Sequence, residues 1–308
     1  MRPRPPTLKR LAAAAVLLCF CAGCREIGGA EAQRASFRRY GPATIAGERA
    51  EDYLSARCAM LLAGFRVDLS SDGHFRFAGG NRSFTCGSAA AIDRRGYYAT
   101  CAHCLRNAPL TLLGVDAQGR YFSAPVRVVW KGSPGPDVWP FARHFDFAIV
   151  AIPRRIDRVF SWARQRPANI TVLTYGLAYT QAKGASFFFV PAAGQVLSWS
   201  RLNGPTAAEF TLTNTAPGHP GDSGSPVCTL DGELLGVQAG GTGLIDWGNR
   251  VYTLPPLQPA SKAICPNPAW VRRIIDADFA AHGPAAAVTC GGRQISRTGP
   301  AGAPPSRS

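Results

Sequence analysis

From Phe75 onward the chain alternates short apolar runs with turn-forming residues. YYATCA (97–102), APVRVVW (124–130), FDFAIVAI (145–152), NITVLTYG (169–176), SFFFV (186–190), AAGQVLSWS (192–200), AEFTLTN (208–214) and ELLGVQAG (233–240) are β-branched or aromatic, and each reads as a strand. No helical period intervenes between them. Many short strands without helices argue for a barrel or a sandwich. Two stretches outside this region do carry a helical period. Glu48 to Leu62 has Tyr53, Leu54, Met60 and Leu61 as its apolar positions. NPAWVRRIIDADFAA (267–281) opens with Asn267 as an N-cap and Pro268 in the first turn, and it places Trp270, Val271, Ile274 and Ile275 on one face.

The N-terminus reads as a targeting segment. Arg2, Arg4, Lys9 and Arg10 precede an apolar run from Leu11 to Phe20 that is too short for a comfortable membrane span. Two processing sites compete. Cys21-Ala22-Gly23-Cys24 looks like a bacterial lipobox, with lipidated Cys24 as a membrane anchor, whereas Ala30-Glu31-Ala32 offers a small-x-small cleavage site. Either one takes the protein out of the cytoplasm, to the bacterial periplasm, the outer membrane or the medium. Residues 25–64 form an N-terminal extension, and the Gly, Pro, Ser and Arg of 283–308 read as a disordered tail. No internal repeat and no second domain is evident.

Composition narrows the class. The 308 residues are 46% hydrophobic and 17% charged, which is globular. The net charge of +15 is spread over pairs such as Arg94-Arg95 and Arg154-Arg155 and makes no dense basic patch. It reads as a solvated surface, so no nucleic-acid partner is expected. Export makes Cys58, Cys86, Cys101, Cys104, Cys228, Cys265 and Cys290 disulfide candidates. Cys101-Ala-His-Cys104 has C-x-x-C spacing, but no second pair with ligand spacing follows outside the targeting segment. Cys101 reads as a buried strand residue, or as bridged to Cys58 or Cys228. No metal or nucleotide motif is present.

The chemistry concentrates in GHPGDSGSP (218–226). Gly221 and Gly224 flank Asp222-Ser223, allowing a tight turn that leaves backbone N–H groups uncovered. Two N–H groups aimed at one point make an anion-binding notch. Asp146 is the only charge in FDFAIVAI, and a lone acid in a buried strand is costly unless paired. A histidine donating its Nδ1–H is a suitable partner. His103, Asp146 and Ser223 thus form a candidate base, orienting acid and nucleophile, with the Gly221 and Ser223 N–H groups as the oxyanion donors.

TCAHC (100–104), FDFAIV (145–150) and GDSGSP (221–226), in the order His, Asp, Ser, resemble the trypsin-like serine proteases. The resemblance covers roughly residues 75 to 281. It implies an all-β fold of two six-stranded antiparallel β-barrels, chymotrypsin-like, with a C-terminal α-helix. The protease domain would span 65–282, with a first barrel over 65–165, a second over 166–262 and the helix over 268–281. CGSAAAIDRRGYYATCAHC (86–104) looks like the segment whose disulfide braces the catalytic histidine, which implies a Cys86–Cys104 bridge. GQVLSWSRL together with AEFTLTNTAPGHPGDSGSPV is similar to the second barrel of the bacterial HtrA-like and glutamyl-endopeptidase branches, although no PDZ-like segment follows. There are departures. His219-Pro220 stand where animal digestive members carry a cysteine, and Asp222 stands where the HtrA branch usually has Asn. In zymogen-activated members that Asp pairs with a newly made N-terminal amine. The nearest candidate here is Ile45-Ala46-Gly47, and an internal Arg or backbone donors would satisfy Asp222 otherwise.

The family's substrate pocket maps onto Ala216, Pro217 and Gly218, Gln238 and Ala239, and Gly240 and Gly241. None is acidic, which argues against cleavage after Lys or Arg. Gln238 stands where glutamyl endopeptidases carry a histidine. A small, apolar or neutral polar residue before the scissile bond is expected. The activity implied is that of an exported serine endopeptidase acting on proteins or peptides through an acyl-enzyme, without cofactor or metal. A catalytically silent binding protein on the same scaffold, or an esterase using the same triad, are the alternatives. His74, His144, His219 and His282 read as surface or incidental residues.

Overall fold

The computed structural model describes residues 27–64, 66–69, 75–78, 85–105, 108–116, 118–132, 145–180, 186–202, 204–206, 208–218, 221–242, 244–246, 251–253 and 260–283. Cys24, His74, His144, His219 and Cys290 lie outside the described residues.

Seven strands build the first sheet: β1 (Cys58–Ala63), β2 (Thr85–Asp93), β3 (Tyr97–Thr100), β4 (Leu110–Val115), β5 (Tyr121–Pro125), β6 (Arg127–Lys131) and β7 (Ala148–Ala151). Their order is β6-β7-β3-β2-β1-β4-β5, and every neighbouring pair is antiparallel. The edge strands β5 and β6 are consecutive in the chain, parted only by Val126, whose N–H donates to Leu110 O at 3.0 Å. The sheet therefore curls until its two edges join in one bent run over 121–131. Six further strands, β8 (Thr171–Thr180), β9 (Ser186–Arg201), β10 (Phe210–Asn214), β11 (Pro226–Thr229), β12 (Leu234–Thr242) and β13 (Ala260–Cys265), close a barrel in the order β8-β9-β10-β13-β12-β11, with β11 returning to β8. This is the all-β, chymotrypsin-like architecture that the resemblance implied, with one difference: the second unit is a closed six-stranded barrel, while the first is a curled sheet of seven strands and not six. One apolar core runs through both units and includes Leu61, Phe147 and Ile149 from the first and Leu173, Val237 and Ile264 from the second.

Among the described residues three α-helices flank the barrels: α1 (Ile27–Tyr40), α2 (Ala50–Ser55) and α3 (Pro268–His282). α3 forms where the sequence predicts it. Asn267 Oδ1 accepts the N–H groups of Ala269 at 3.0 Å and Trp270 at 3.4 Å, the bonds expected of an N-cap. Trp270 and Val271 are buried, and the Trp270 ring meets Trp130 edge-on at 4.8 Å. Asp278 then fastens the helix to the first barrel, accepting two bonds from the Arg127 guanidinium at 2.6 Å each and one from the Tyr97 hydroxyl at 2.8 Å. Among the described residues no helix is long and apolar enough to cross a membrane.

Two expectations are corrected. The helix expected over Glu48–Leu62 stops at Ser55, and Cys58–Ala63 is instead β1, a central strand of the first sheet. CAMLLA is buried on both faces, and a continuous apolar run has no period to separate strand from helix. SFFFV and AAGQVLSWS are one strand, β9, continuing through Pro191, which pairs with Tyr175.

Candidate active site

Asp146 sits just before β7, between Phe145 and Phe147, both buried against Trp130 and Trp270. This aromatic packing fixes the chain on each side of the carboxylate. His103 lies in a single 3-10 turn, Ala102–Cys104, directly after β3. Because β3 pairs with β7, with Thr100 opposite Ala148, the turn is delivered to Asp146. The Asp146 carboxylate grips it twice: Oδ1 accepts the His103 backbone N–H at 2.9 Å, and Oδ2 lies 2.6 Å from Nδ1. With Nδ1–H donating to the acid, Nε2 is left as the basic nitrogen.

Ser223 lies in the turn before β11. Gly221 and Gly224 adopt φ of +105° and +87°, in the left-handed region that side chains avoid. At Gly224 space also requires glycine, because a Cβ would come within 1.9 Å of Ser88 O. The turn is closed by Ser225 N–H donating to Asp222 O at 2.8 Å, and Gly224 N–H donates to Gln238 O at 2.7 Å. The first barrel holds the same turn from the other side: Ser88 N–H donates to Ser223 O at 2.7 Å, and the Cys104 thiol reaches that oxygen at 3.7 Å. Ser223 is thereby tied to the residue that follows His103. Among the described residues, neither the Gly221 nor the Ser223 N–H has an acceptor, as two donors awaiting an oxyanion require.

The pocket residues gather beside this turn. Ala216 is fixed by its N–H donating to Asn214 Oδ1 at 2.9 Å and by its carbonyl accepting from Ser261 Oγ at 2.6 Å. Gln238 and Ala239 are buried in β12, and Gln238 Nε2 donates to Gly240 O at 3.0 Å. Gly218 faces Ser261 Oγ and Gln238 Nε2, and Gly241 pairs with Ser261 across β12 and β13. Ser261 belongs to this wall and carries no signal in the sequence, being one serine in an ordinary β run.

Cys101 and Cys104 lie beside His103, with Cys86 next to Cys104. The structure does not form the Cys86–Cys104 bridge that the resemblance implied: both are free thiols. Cys101 is also free and buried in the core, and its thiol donates to Gln238 O at 2.9 Å. Burial alone would lower the His103 pKa; the Cys104 sulfur as a thiolate and the Asp146 carboxylate raise it, to about 11. Cys104 falls to about 6: a hydrogen bond with Cys101 and the charged imidazole lower it against the opposing effect of burial. The His103 side chain is 39% exposed, so water screens part of this pairing. Cys101, His103 and Asp146 are also metal-ligand types within 4.8 Å of one another. Each ligand group already has a protein partner, however, so the cluster is satisfied as it stands.

Asp222 is buried, and one residue that meets it carries no signal in the sequence. Gln33, on α1 and fully buried, donates its Nε2 to Asp222 Oδ2 at 2.8 Å and to Pro217 O at 3.3 Å. Ile45, the candidate for amine pairing, lies in a two-residue strand paired with Glu48 and packs against Gly232.

Residues 87–237 match the trypsin-like peptidase domain. No curated protein matches the chain. Among solved structures, the active form of the Rv3671c protease from M. tuberculosis is 17% identical, with 76% of this chain and 83% of that chain covered and a TM-score of 0.47. Deg5 is 16% identical over 61% of this chain and 81% of that one, with a TM-score of 0.42. AlgW, an HtrA-type protease solved with a tripeptide, is 16% identical over 75% of this chain and 62% of that one, with a TM-score of 0.47.

Proposed function

We propose, from the match of residues 87–237 to the trypsin-like peptidase domain, that this serine protease is an exported endopeptidase acting on proteins or peptides, with His103, Asp146 and Ser223 as its triad. The observation that carries this reading is the double grip of Asp146 on His103, one residue from the thiol that touches the Ser223 carbonyl. Nε2 of His103 takes the Ser223 hydroxyl proton as Oγ attacks the scissile carbonyl. The imidazolium so formed is stabilised by Asp146. The Gly221 and Ser223 N–H groups receive the oxyanion, a contribution of roughly 3 kcal/mol per donor. His103 then gives the proton to the leaving amine, and water releases the acyl-enzyme by the same route.

The pocket favours a small neutral residue before the cut. The polar atoms nearest Gly218 are the Ser261 hydroxyl and the Gln238 amide, both uncharged; Asp222 Oδ2 lies further off and accepts from Gln33 Nε2. Export rests on the basic and apolar pattern of residues 1–24, with Cys24 as the lipid attachment site. In an oxidising compartment Cys86 and Cys104 pair, which removes the thiolate beside His103. Digestion of a peptide library by the purified oxidised protein, beside its Ser223→Ala variant, tests the reading. Cleavage after Ala, Ser, Thr or Val by the wild type alone is expected. Turnover of esters with no peptide cleavage would make it an esterase, and turnover of neither would make it a binding protein.

A further inference from the structure

We propose that Gln33 is a positioning residue for the Ser223 site, and that α1 is a permanent part of the active protease and not a segment released to switch it on. The inference rests on the serine protease reading above. Gln33 is 189 positions from Asp222, yet its amide nitrogen bonds the Asp222 carboxylate and the Pro217 carbonyl together. Both partners are acceptors, so only the amide nitrogen fits there and the orientation of the side chain is fixed. Gln33 thus ties both ends of segment 217–222. One end is a wall of the substrate pocket, and the other adjoins the Gly221 and Ser223 donors. The site is shaped for this contact. A Cβ on Gly176 would lie 1.9 Å from Asp222 Oδ1, so the strand behind the carboxylate must be bare, and the carboxylate is pressed between β8 and α1.

The helix is anchored for the purpose. Ser36 Oγ accepts the Ala193 N–H of β9 at 3.2 Å and donates to Gln33 O at 2.7 Å, one turn from the amide that reaches Asp222. Phe37 packs on the main core. Over residues 31–40 only Gln33 is buried and Ser36 and Phe37 are half-buried, while Arg34, Arg38 and Arg39 are exposed, so docking of this part of α1 depends on a narrow face. A buried carboxylate needs donors, and the Gln33 amide is one of them.

The test compares Gln33→Leu, Gln33→Glu and the pair Gln33→Glu with Asp222→Asn against the wild type. It reads kcat and KM on a small neutral peptide substrate, the rate of fluorophosphonate capture, and Tm. A fourth form carries an engineered cleavage site at Pro42–Ala43, cut after folding and stripped of α1. We expect Gln33→Leu to lose about 10-fold or more in kcat and capture rate, with a smaller change in KM, because the oxyanion donors lose their alignment. Gln33→Glu should fall further, since two carboxylates then face each other. The pair should regain about 10-fold over Gln33→Glu, because the amide introduced at position 222 can donate to the carboxylate introduced at position 33. Recovery by that exchange distinguishes positioning from mere filling of space. Stripping α1 should abolish capture, a result that stands even where a point variant fails to fold. Wild-type kinetics in Gln33→Leu, or a rise in activity when α1 is removed, would overturn the inference. A wild type that captures no probe would instead sink the protease reading.

Discussion

Oδ2 of Asp146 lies 2.6 Å from Nδ1 of His103 while Oδ1 accepts the backbone N–H of the same residue at 2.9 Å. One carboxylate therefore sets both the position of the turn and the tautomer of the ring.

Asp146→Asn should keep the fold and lose the tautomer, because an amide can present its N–H to Nδ1 and drive the ring proton to Nε2. The expected loss is about 10³- to 10⁴-fold in kcat, with KM little changed, measured on a peptide substrate at neutral pH. A loss under 10-fold would remove Asp146 from the role given to it.

Redox state should move the pH profile. A base must be neutral to take the Ser223 proton, and with Cys104 as a thiolate the His103 pKa rises to about 11. In the fully reduced protein kcat/KM should still be climbing at about pH 9–10. Joining Cys104 to Cys86 removes that charge and leaves Asp146 as the partner, which moves the rise toward neutrality. Profiles of the oxidised and reduced protein, with a Cys104→Ala variant following the oxidised one, check this. Superimposable profiles would contradict it.

The turn that carries Ser223 should not tolerate a side chain at Gly224. A Cβ there would come within 1.9 Å of Ser88 O and 2.4 Å of Thr100 Oγ1, at a φ of +87°. Gly224→Ala should cost about 3–5 kcal/mol and abolish activity. Gly119 has a φ of +76° with open space around it, so Gly119→Ala should cost only about 1–2 kcal/mol and spare activity. Chemical denaturation of the two variants reads the contrast.

Asp278 should matter to stability in a pH-dependent way. Hydrogen bonds from Arg127, set against burial, and then the Tyr97 hydroxyl hold its carboxyl below the usual carboxylate range. The folded pKa is depressed, so the stabilisation is fully present above the unfolded value of 3.8 and is lost as pH falls through the folded one. Asp278→Asn should therefore lower Tm by about 2–8 °C at pH 7. The gap should close below about pH 3. A gap independent of pH would place the effect in packing.

The motifs of the proposed triad are legible in the sequence because each is local. A histidine after a strand, a lone acid in FDFAIV and a serine between two glycines can each be read within a few residues. α3 was legible for the same reason, through Asn267-Pro268. β1 was not, because CAMLLA is buried on both sides and has no period. Gln33 was not, because nothing in GGAEAQRASFRRY (28–40) marks one glutamine until the fold brings it to Asp222. Ser261 reaches the pocket only through the pairing of β12 with β13.

The central claim is an activated Ser223, and its most direct measurement is fluorophosphonate labelling of the oxidised protein, with the modified residue located by mass spectrometry. The account predicts stoichiometric label on Ser223, none in Ser223→Ala, and capture slowed by about 10³-fold or more in His103→Ala. An unlabelled wild type, or label on any other serine, would contradict it.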